Sequence, residues 1–334
     1  MNVHAIHILI VAAAAFVIAV VLTKVEIPIL RKKAGQNIRE EGLKSHYSKA
    51  GTPSMGGISI IITTCIMGIV GTLAFGGTIG DELLIILVFG GFGVIGFIDD
   101  FRKVIQKQNE GLTAKQKFGL QLVIAVAFSI FFAHYSAFGT NVYIPVFDVF
   151  IDFGVFYYVF VTFAVLAMTN AVNLTDGLDG LASGVTAIVS MFFVYAGFMG
   201  GAFCKYCGFI GNASETFFFA SLCGGCLGFL VFNKNPAKVF MGDTGSLALG
   251  GGVVAAAIVL KLELLLLVAG LIYVIEALSV VLQVSFFKLT HGRRIFKMAP
   301  IHHHFEMCGM SEVKVVTMFW AFTFICCIAA AFII

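Results

Sequence analysis

Charge is what this sequence has least of. Only 12% of its 334 residues are Asp, Glu, Lys or Arg, about half the share found in soluble globular chains. An ordinary soluble enzyme is thereby excluded. Proline is scarce as well, and Pro28, Pro53, Pro145, Pro236 and Pro300 all fall outside the apolar runs. No Lys or Arg precedes the first apolar run, so the N-terminus does not read as a cleavable signal peptide. The runs do not alternate in polarity, which excludes the strands of a membrane barrel. Cys204/Cys207 and Cys223/Cys226 have the spacing of a zinc ribbon. The second pair lies inside an apolar run, however, where thiols behave as small hydrophobes. A structural zinc site is not expected.

What remains is apolar: 60% of residues are hydrophobic and the mean hydropathy is +1.02. Uncharged runs long enough to cross a bilayer as helices recur along the chain. They predict an all-α polytopic membrane protein, a single transmembrane domain over residues 1–334. Ten spans are expected, at about 4–23, 55–75, 83–100, 117–135, 154–172, 180–200, 216–232, 244–261, 263–288 and 313–334. The weakest break is between the eighth and ninth, where only Lys261 and Glu263 intervene. Of the 21 Lys and Arg, all but Lys205 and Lys261 fall in or beside the gaps after odd-numbered spans. By the positive-inside rule those gaps are cytoplasmic and both termini lie outside.

Polar residues concentrate on that same expected face. Asp99 and Asp100 close the third span, and the run from Asn173 through Asp176 and Asp179 to Gly180 closes the fifth. Asn233 to Pro236 and Phe240 to Ser246, with Asp243 between, flank the seventh span's exit. Lys44, His46, Lys49, Thr52 and Ser54 precede the second span; His291, Arg293, Arg294 and His302-His303-His304 follow the ninth. Two adjacent carboxylates at a membrane edge repel and need a partner, either a hard divalent cation or basic side chains. The plain alternative is a solvated helix end with the acids paired to Arg102 and Lys103. Acids interleaved with lysines suit a phosphate-rich substrate bridged by Mg²⁺. Helix starts near 180 and 244 would aim positive dipole ends at the same surface. Gly242-Asp243-Thr244-Gly245-Ser246 is not a Walker loop, because the terminal Gly-Lys-Ser/Thr is missing.

Several segments together carry a family resemblance: Gly51 to Gly57, Asp99-Asp100, Leu112 to Lys117, Asn170 to Gly180, Asn233 to Ser246 and Ala299 to Glu306. In this order the chain resembles the polyprenyl-phosphate N-acetylhexosamine-1-phosphate transferases, from about residue 44 to 310. The one departure is Ser54, where the family often has Thr. The resemblance implies ten helices and a bacterial plasma-membrane location with the active site cytoplasmic. Its implied reaction joins undecaprenyl phosphate to UDP-N-acetylmuramoyl-pentapeptide, with Mg²⁺ as cofactor, yielding the lipid-linked product of peptidoglycan synthesis and UMP. Ala299 to Glu306 is the stretch that favours the muramoyl-pentapeptide donor. A homodimer in the lipid bilayer is implied too, and no nucleic acid.

Roles carry over from the resemblance residue by residue. Asp243 is the expected Mg²⁺ ligand, with Asp100 assisting. Asp99 and Asp100 organise the lipid phosphate, and Lys115 neutralises it. Lys49, Asn173, Asp176, Asp179, Asn233 and Phe240 line the nucleotide-sugar pocket, Phe240 offering a face to uracil. His302, His303 and His304 meet the diphosphate or the muramoyl-peptide. A histidine triplet is often only a polar loop, and consecutive residues cannot share a helix face. Zinc is disfavoured there, since its ligands are normally spaced. Glu276, mid-span, is costly unless it faces the bundle interior, and the sequence assigns it no role.

Two mechanisms fit those residues: Asp243 as covalent nucleophile, or direct attack by the lipid phosphate with Asp99 as base or orienter. A phosphate monoester loses its second proton near pH ~6, so it is already a competent nucleophile and direct attack is favoured. The acceptor's tail must stay in the bilayer, which calls for an apolar groove beside span three. The long ninth span could bend to form one wall. Two alternatives stand beside this reading: a relative that uses UDP-N-acetylglucosamine, and a secondary transporter or flippase. The latter would place its ligands near the midplane.

Overall fold

Residues 3–33, 49, 51–106, 111–203 and 213–334 are described by the computed structural model; Lys44, His46, Lys205 and the Cys204/Cys207 pair lie outside them. The elements are α1 (Val3–Lys33), α2 (Gly57–Phe75), α3 (Ile79–Gln106), α4 (Ala114–Tyr135), β1 (Asn141–Ile144), β2 (Val149–Asp152), α5 (Phe156–Thr175), α6 (Leu181–Phe203), α7 (Ala213–Asn233), α8 (Gly242–Val259), α9 (Glu263–Ala269), α10 (Leu271–Leu289), α11 (Ile301–Met307) and α12 (Glu312–Ala331). Ten of these helices are long and apolar enough to cross a membrane. The ten expected spans have their counterparts, with ends shifted by a few residues except at the first, which runs ten residues further, and the ninth, whose membrane-length helix begins eight residues later.

The bundle is built around α8. Its small residues, Gly250 to Gly252 and Ala255 to Ala257, are buried throughout, and it packs against α2, α3 and α5. A helix apolar on every side belongs in the middle of a bundle rather than at its rim. Around it, α7 bridges α1, α2 and α6. The outer helices present apolar side chains such as Leu87, Val123, Phe163 and Val281, as expected of surfaces that face hydrocarbon.

Three expectations need correction. The chain is mostly but not wholly helical: β1 and β2 pair antiparallel, Asn141 opposite Asp152 and Ile144 opposite Val149, joined by a turn through Pro145–Phe147. Four-residue strands leave too short a pattern to be read from sequence. Pro28 lies inside a helix, because α1 runs on to Lys33. A single proline removes one amide donor, and the flanking turns of so long a helix carry it. Finally, span nine is two helices. Helix α9 stops at Ala269, Gly270 intervenes, and α10 begins at Leu271.

Lys261 explains how so short a break between α8 and α9 reverses the chain. Its backbone is left-handed at φ 57°, and the side chain is 1% exposed. The ammonium lies 4.9 Å from the ring centres of both Phe132 and Tyr157. It donates to the Asn141 carbonyl at 3.0 Å and to the Tyr157 hydroxyl at 3.2 Å. Burial pushes the ammonium below its usual range, and the nearby Glu263 charge opposes that shift. One side chain thus ties the hairpin, α4, α5 and the α8–α9 turn together. Lys261→Met keeps the volume but loses both hydrogen bonds and the ring contacts, and leaves Glu263 uncompensated. It should cost about 1–3 kcal/mol and speed amide exchange at Asn141–Asp152. Unchanged exchange there would contradict the tether.

Candidate active site

The site begins where α3 ends against the start of α8. Gly96, one turn before Asp99-Asp100, lies so close that a Cβ there would fall on the Asp243 carbonyl. Glycine is what lets the two backbones touch. Asp99, Asp100 and Asp243 consequently bring one carboxylate oxygen each to within 4.8 Å of one another. Asp100 and Asp99 are 5% and 3% exposed, so the repulsion is not relieved by water.

Ammonium groups relieve it instead. Lys103 Nζ lies 2.6 Å from Asp99 Oδ2, 2.9 Å from Asp243 Oδ2 and 3.7 Å from Asp100 Oδ1. Lys117 Nζ reaches the same Asp243 oxygen at 2.9 Å. The other Asp243 oxygen accepts from Asn173 Nδ2 at 2.9 Å, and that amide also donates to Ser246 at 2.8 Å. Each acid has structural work besides. Asp100 Oδ2 accepts from the Thr244 amide at 2.9 Å and the Thr244 hydroxyl at 2.7 Å, capping from another helix an orphan donor of the first turn of α8. Asp99 Oδ1 accepts from the Leu112 amide at 2.7 Å and so anchors the approach to α4.

The segment Leu112 to Lys117 is legible in physical terms. Thr113 is the N-cap of α4 and forms a reciprocal capping box with Gln116. This fixes the first turn of the helix, and Lys117 points from it into the carboxylates. Lys115 is exposed on the same turn. Residues two apart on a helix do not share a face, so it is Lys117, with Lys103, and not Lys115 that meets the carboxylates.

A second network meets the first through the loop 176–180. Lys49 Nζ bridges Asp179 Oδ1 at 2.7 Å and Glu312 Oε1 at 2.6 Å. Asn235 Nδ2 bridges the same pair at 3.1 and 3.0 Å. Two backbone amides add to it, Asp179 to Glu312 at 2.7 Å and Ala237 to Asp179 at 3.0 Å. Asp176, at the end of α5, is half-buried. Burial holds its carboxyl well above the usual range, and the charges of Asp243, Asp100 and Asp179 push the same way.

Asn233 is engaged internally, whereas Phe240 keeps an open side. Asn233 is 3% exposed; its Oδ1 accepts from the Gly180 amide and the Ser183 hydroxyl, both at 3.1 Å, and its Nδ2 donates to Val239 at 2.9 Å. It is a brace between the loop after α5 and the approach to α8. Phe240 is half-buried, its backbone paired with the Pro53 and Gly56 backbone at 2.8 and 2.9 Å.

The three histidines go three ways. His302 is buried, its Nδ1 2.9 Å from Glu276 Oε1. His303 Nδ1 lies 2.8 Å from Glu306, and His304 Nδ1 accepts from the Lys297 amide at 3.1 Å. A Cβ on Gly177 would fall on His302 Nε2, so of the three it is His302 that lies against the loop carrying Asp176. Sequence reasoning missed Lys117, Asn235, Glu312 and the partner of Glu276. Lys103 stands four residues from Asp99 and three from Asp100, a helical spacing that is a usable signal of pairing. Glu312 gave no such signal, because its contacts span 133 and 263 residues.

Chemically, the arrangement offers hard oxygen donors and ammonium groups side by side, which suits a divalent cation and an anionic phosphate together. A sequence profile of glycosyl transferase family 4 matches residues 82–261. That range holds the carboxylate cluster, both lysines, Asn173 and Asn233, and stops short of the histidines and Glu312. Over 330 residues, 97% of each chain, the sequence is 49% identical to the phospho-N-acetylmuramoyl-pentapeptide-transferases of Bacillus anthracis (strain A0248), Bacillus thuringiensis (strain Al Hakam) and Bacillus cereus (strain AH187).

If Asn233 is a brace, Asn233→Ala should lower stability by about 2–4 kcal/mol, since it strands three buried polar groups. Denaturation monitored in detergent measures this, and an unchanged melting temperature would refute the brace.

Proposed function

The chain belongs to glycosyl transferase family 4, alongside phospho-N-acetylmuramoyl-pentapeptide-transferases, and from that premise we propose that it transfers phospho-N-acetylmuramoyl-pentapeptide from its UDP donor to undecaprenyl phosphate, giving lipid I and UMP. The observation that carries the reading is the cluster of Asp99, Asp100 and Asp243 bound up with Lys103 and Lys117. On α3, Phe97, Ile98 and Phe101 are exposed beside the acids, and Phe97 and Phe101 stack at 5.5 Å. An apolar flank next to a charged centre suits an acceptor whose tail stays in hydrocarbon.

The residues present fit Mg²⁺. Asp243 and Asp100 Oδ1 would hold it with Asp99 adjacent, an all-oxygen set of the kind this ion takes. Bound there, Mg²⁺ supplies charge neutralisation to the donor's diphosphate. The protein's own groups do the rest. Lys103 and Lys117, in preference to Lys115, neutralise the acceptor phosphate and the leaving UMP. Asn173, braced by Ser246, holds Asp243 in position. Lys49, Asp176, Asp179 and Phe240 face the nucleotide-sugar, and the histidine triplet serves its diphosphate or peptide end, His303 and His304 at the rim and His302 buried behind the loop.

In the reaction, an oxygen of the lipid phosphate forms a bond to the donor's β-phosphorus. The bond from that phosphorus to the α–β bridging oxygen breaks, and UMP leaves with the electron pair. A phosphate dianion needs no proton removed; a monoanion gives its proton to Asp99. Transfers of this type depend mainly on positioning and charge neutralisation, which the cluster provides.

The asymmetry of Lys and Arg supports a cytoplasmic active site with both termini outside, in a bacterial plasma membrane. We read the chain as one transferase domain, acting as a homodimer in the bilayer and without a nucleic-acid partner.

UMP release with each donor, with and without Mg²⁺, tests the reading. Release should require UDP-N-acetylmuramoyl-pentapeptide and Mg²⁺. Release from UDP-N-acetylglucosamine alone, or none from either donor, would overturn it. Asp243→Asn and Asp99→Asn should each lower kcat about a thousandfold, ~4 kcal/mol of transition-state stabilisation. Lys117→Ala should cost about a hundredfold and Lys115→Ala no more than about threefold; equal losses at the two lysines would return the role to Lys115. A phospho-aspartate trapped with the UDP donor alone would replace direct attack by the covalent route.

A further inference from the structure

An acid in the middle of a membrane helix is expensive and marks a functional contact by default. Glu276 is such an acid, in the second turn of α10, and it is fully buried. Its contact is His302 Nδ1, at 2.9 Å, contributed by a helix that begins 25 residues further along the chain. His302 is fully buried as well. Among the described residues each member of the pair keeps one buried polar atom without a hydrogen-bond partner, Glu276 Oε2 and His302 Nε2. Buried polar atoms are rarely left so.

The direction of the orphaned nitrogen is fixed by what it touches. His302 Nε2 lies against Gly177, at the spot a Cβ would occupy, between Asp176 and Leu178. Its neighbour in the loop, Asp176, feels the charges of Asp243, Asp100 and Asp179. The imidazole thus has one nitrogen anchored inside the bundle and the other aimed at the loop. A carboxylate behind an imidazole fixes which nitrogen carries its proton and how the ring is turned.

We propose that Glu276 is a positioning residue: it takes the Nδ1–H of His302 and so turns Nε2 against the Asp176–Gly177 loop, which the ring holds in the shape that receives the nucleotide-sugar donor. This rests on the reading that the loop receives the donor. The ring acts on the loop and Glu276 acts through the ring. Glycine at 177 is required because any side chain there would displace Nε2. His303 and His304, engaged by Glu306 and by the Lys297 amide, are not turned by Glu276, so the three histidines have separate tasks.

The test compares Glu276→Leu, Glu276→Gln, His302→Ala, Gly177→Ala and the double variant Glu276→Leu/His302→Ala in the UMP-release assay, varying donor and acceptor separately. Glu276→Leu should lower kcat/KM for the donor at least a hundredfold and leave the acceptor KM within threefold. Gln retains an acceptor for Nδ1–H, so Glu276→Gln should stay within tenfold of wild type. The double variant should be no worse than His302→Ala, because residues acting as one unit are not additive, and Gly177→Ala should resemble His302→Ala. Glu276→Leu at wild-type rate, or a double variant that loses the product of the two single effects, would sink the proposal. Should Glu276→Leu fail to fold, ¹⁵N spectra of histidine-labelled wild-type protein decide, with the His302 resonances identified by their loss in His302→Gln. A protonated Nδ1 is expected, and a bare Nδ1 overturns the assignment. An inactive wild type would instead fail the reading of the function, so the two failures are distinguishable.

Discussion

Three carboxylates with oxygens within 4.8 Å of one another, two of them almost fully buried, repel so strongly that nothing else in the bundle could hold them without compensation. Lys103 is that compensation. Its ammonium contacts all three acids, and Lys117 adds a second positive charge at Asp243. Because the acids come from α3 and α8 and the lysines from α3 and α4, charge pairing locks three helix ends together. Each helix could slide along its neighbours by apolar packing alone, since such packing has no direction; the ion cluster fixes where they stop. Carboxylates grouped in this way could hold a metal ion.

The same residues serve fold and chemistry at once. Asp100 caps the first turn of α8 while holding a carboxylate in the cluster. Asp99 anchors the approach to α4. The capping box of Thr113 and Gln116 sets the turn from which Lys117 points. Asp179 accepts from Lys49, Asn235 and the Ala237 amide, which draws together the ends of α7 and α12 and the segment before α2. Substitutions here therefore risk conflating stability with turnover, and the melting temperature has to be read beside kcat.

Residues far apart in sequence account for what pattern reading misses. The adjacency of Asp99 and Asp100 at the end of an apolar run is a local fact, and so is the placement of Asp243 before a glycine-rich helix. Glu312 and Glu276 are different: their partners lie 263 and 26 residues away, and neither carries a local pattern that sets it apart from a lone charge. Lys115 and Lys117 are both local, yet only helix phase decides between them, and that phase depends on the capping box. Asn233 shows the reverse case, a residue whose motif suggests substrate contact but whose three hydrogen bonds are all internal.

Composition and run length by themselves determined that the chain is a helical membrane protein with ten spans, because the cost of leaving backbone polar groups unpaired in hydrocarbon admits few other solutions. The ordered motifs determined its family, since segments that bind the same substrates keep the same residue types. Tertiary structure alone decided the β-hairpin, the division of the ninth span at Gly270 and the continuation of α1 through Pro28. It alone decided which lysine meets Asp243 and which histidine faces the loop. These depend on close approach between distant segments, and close approach is a property of packing that no local pattern encodes.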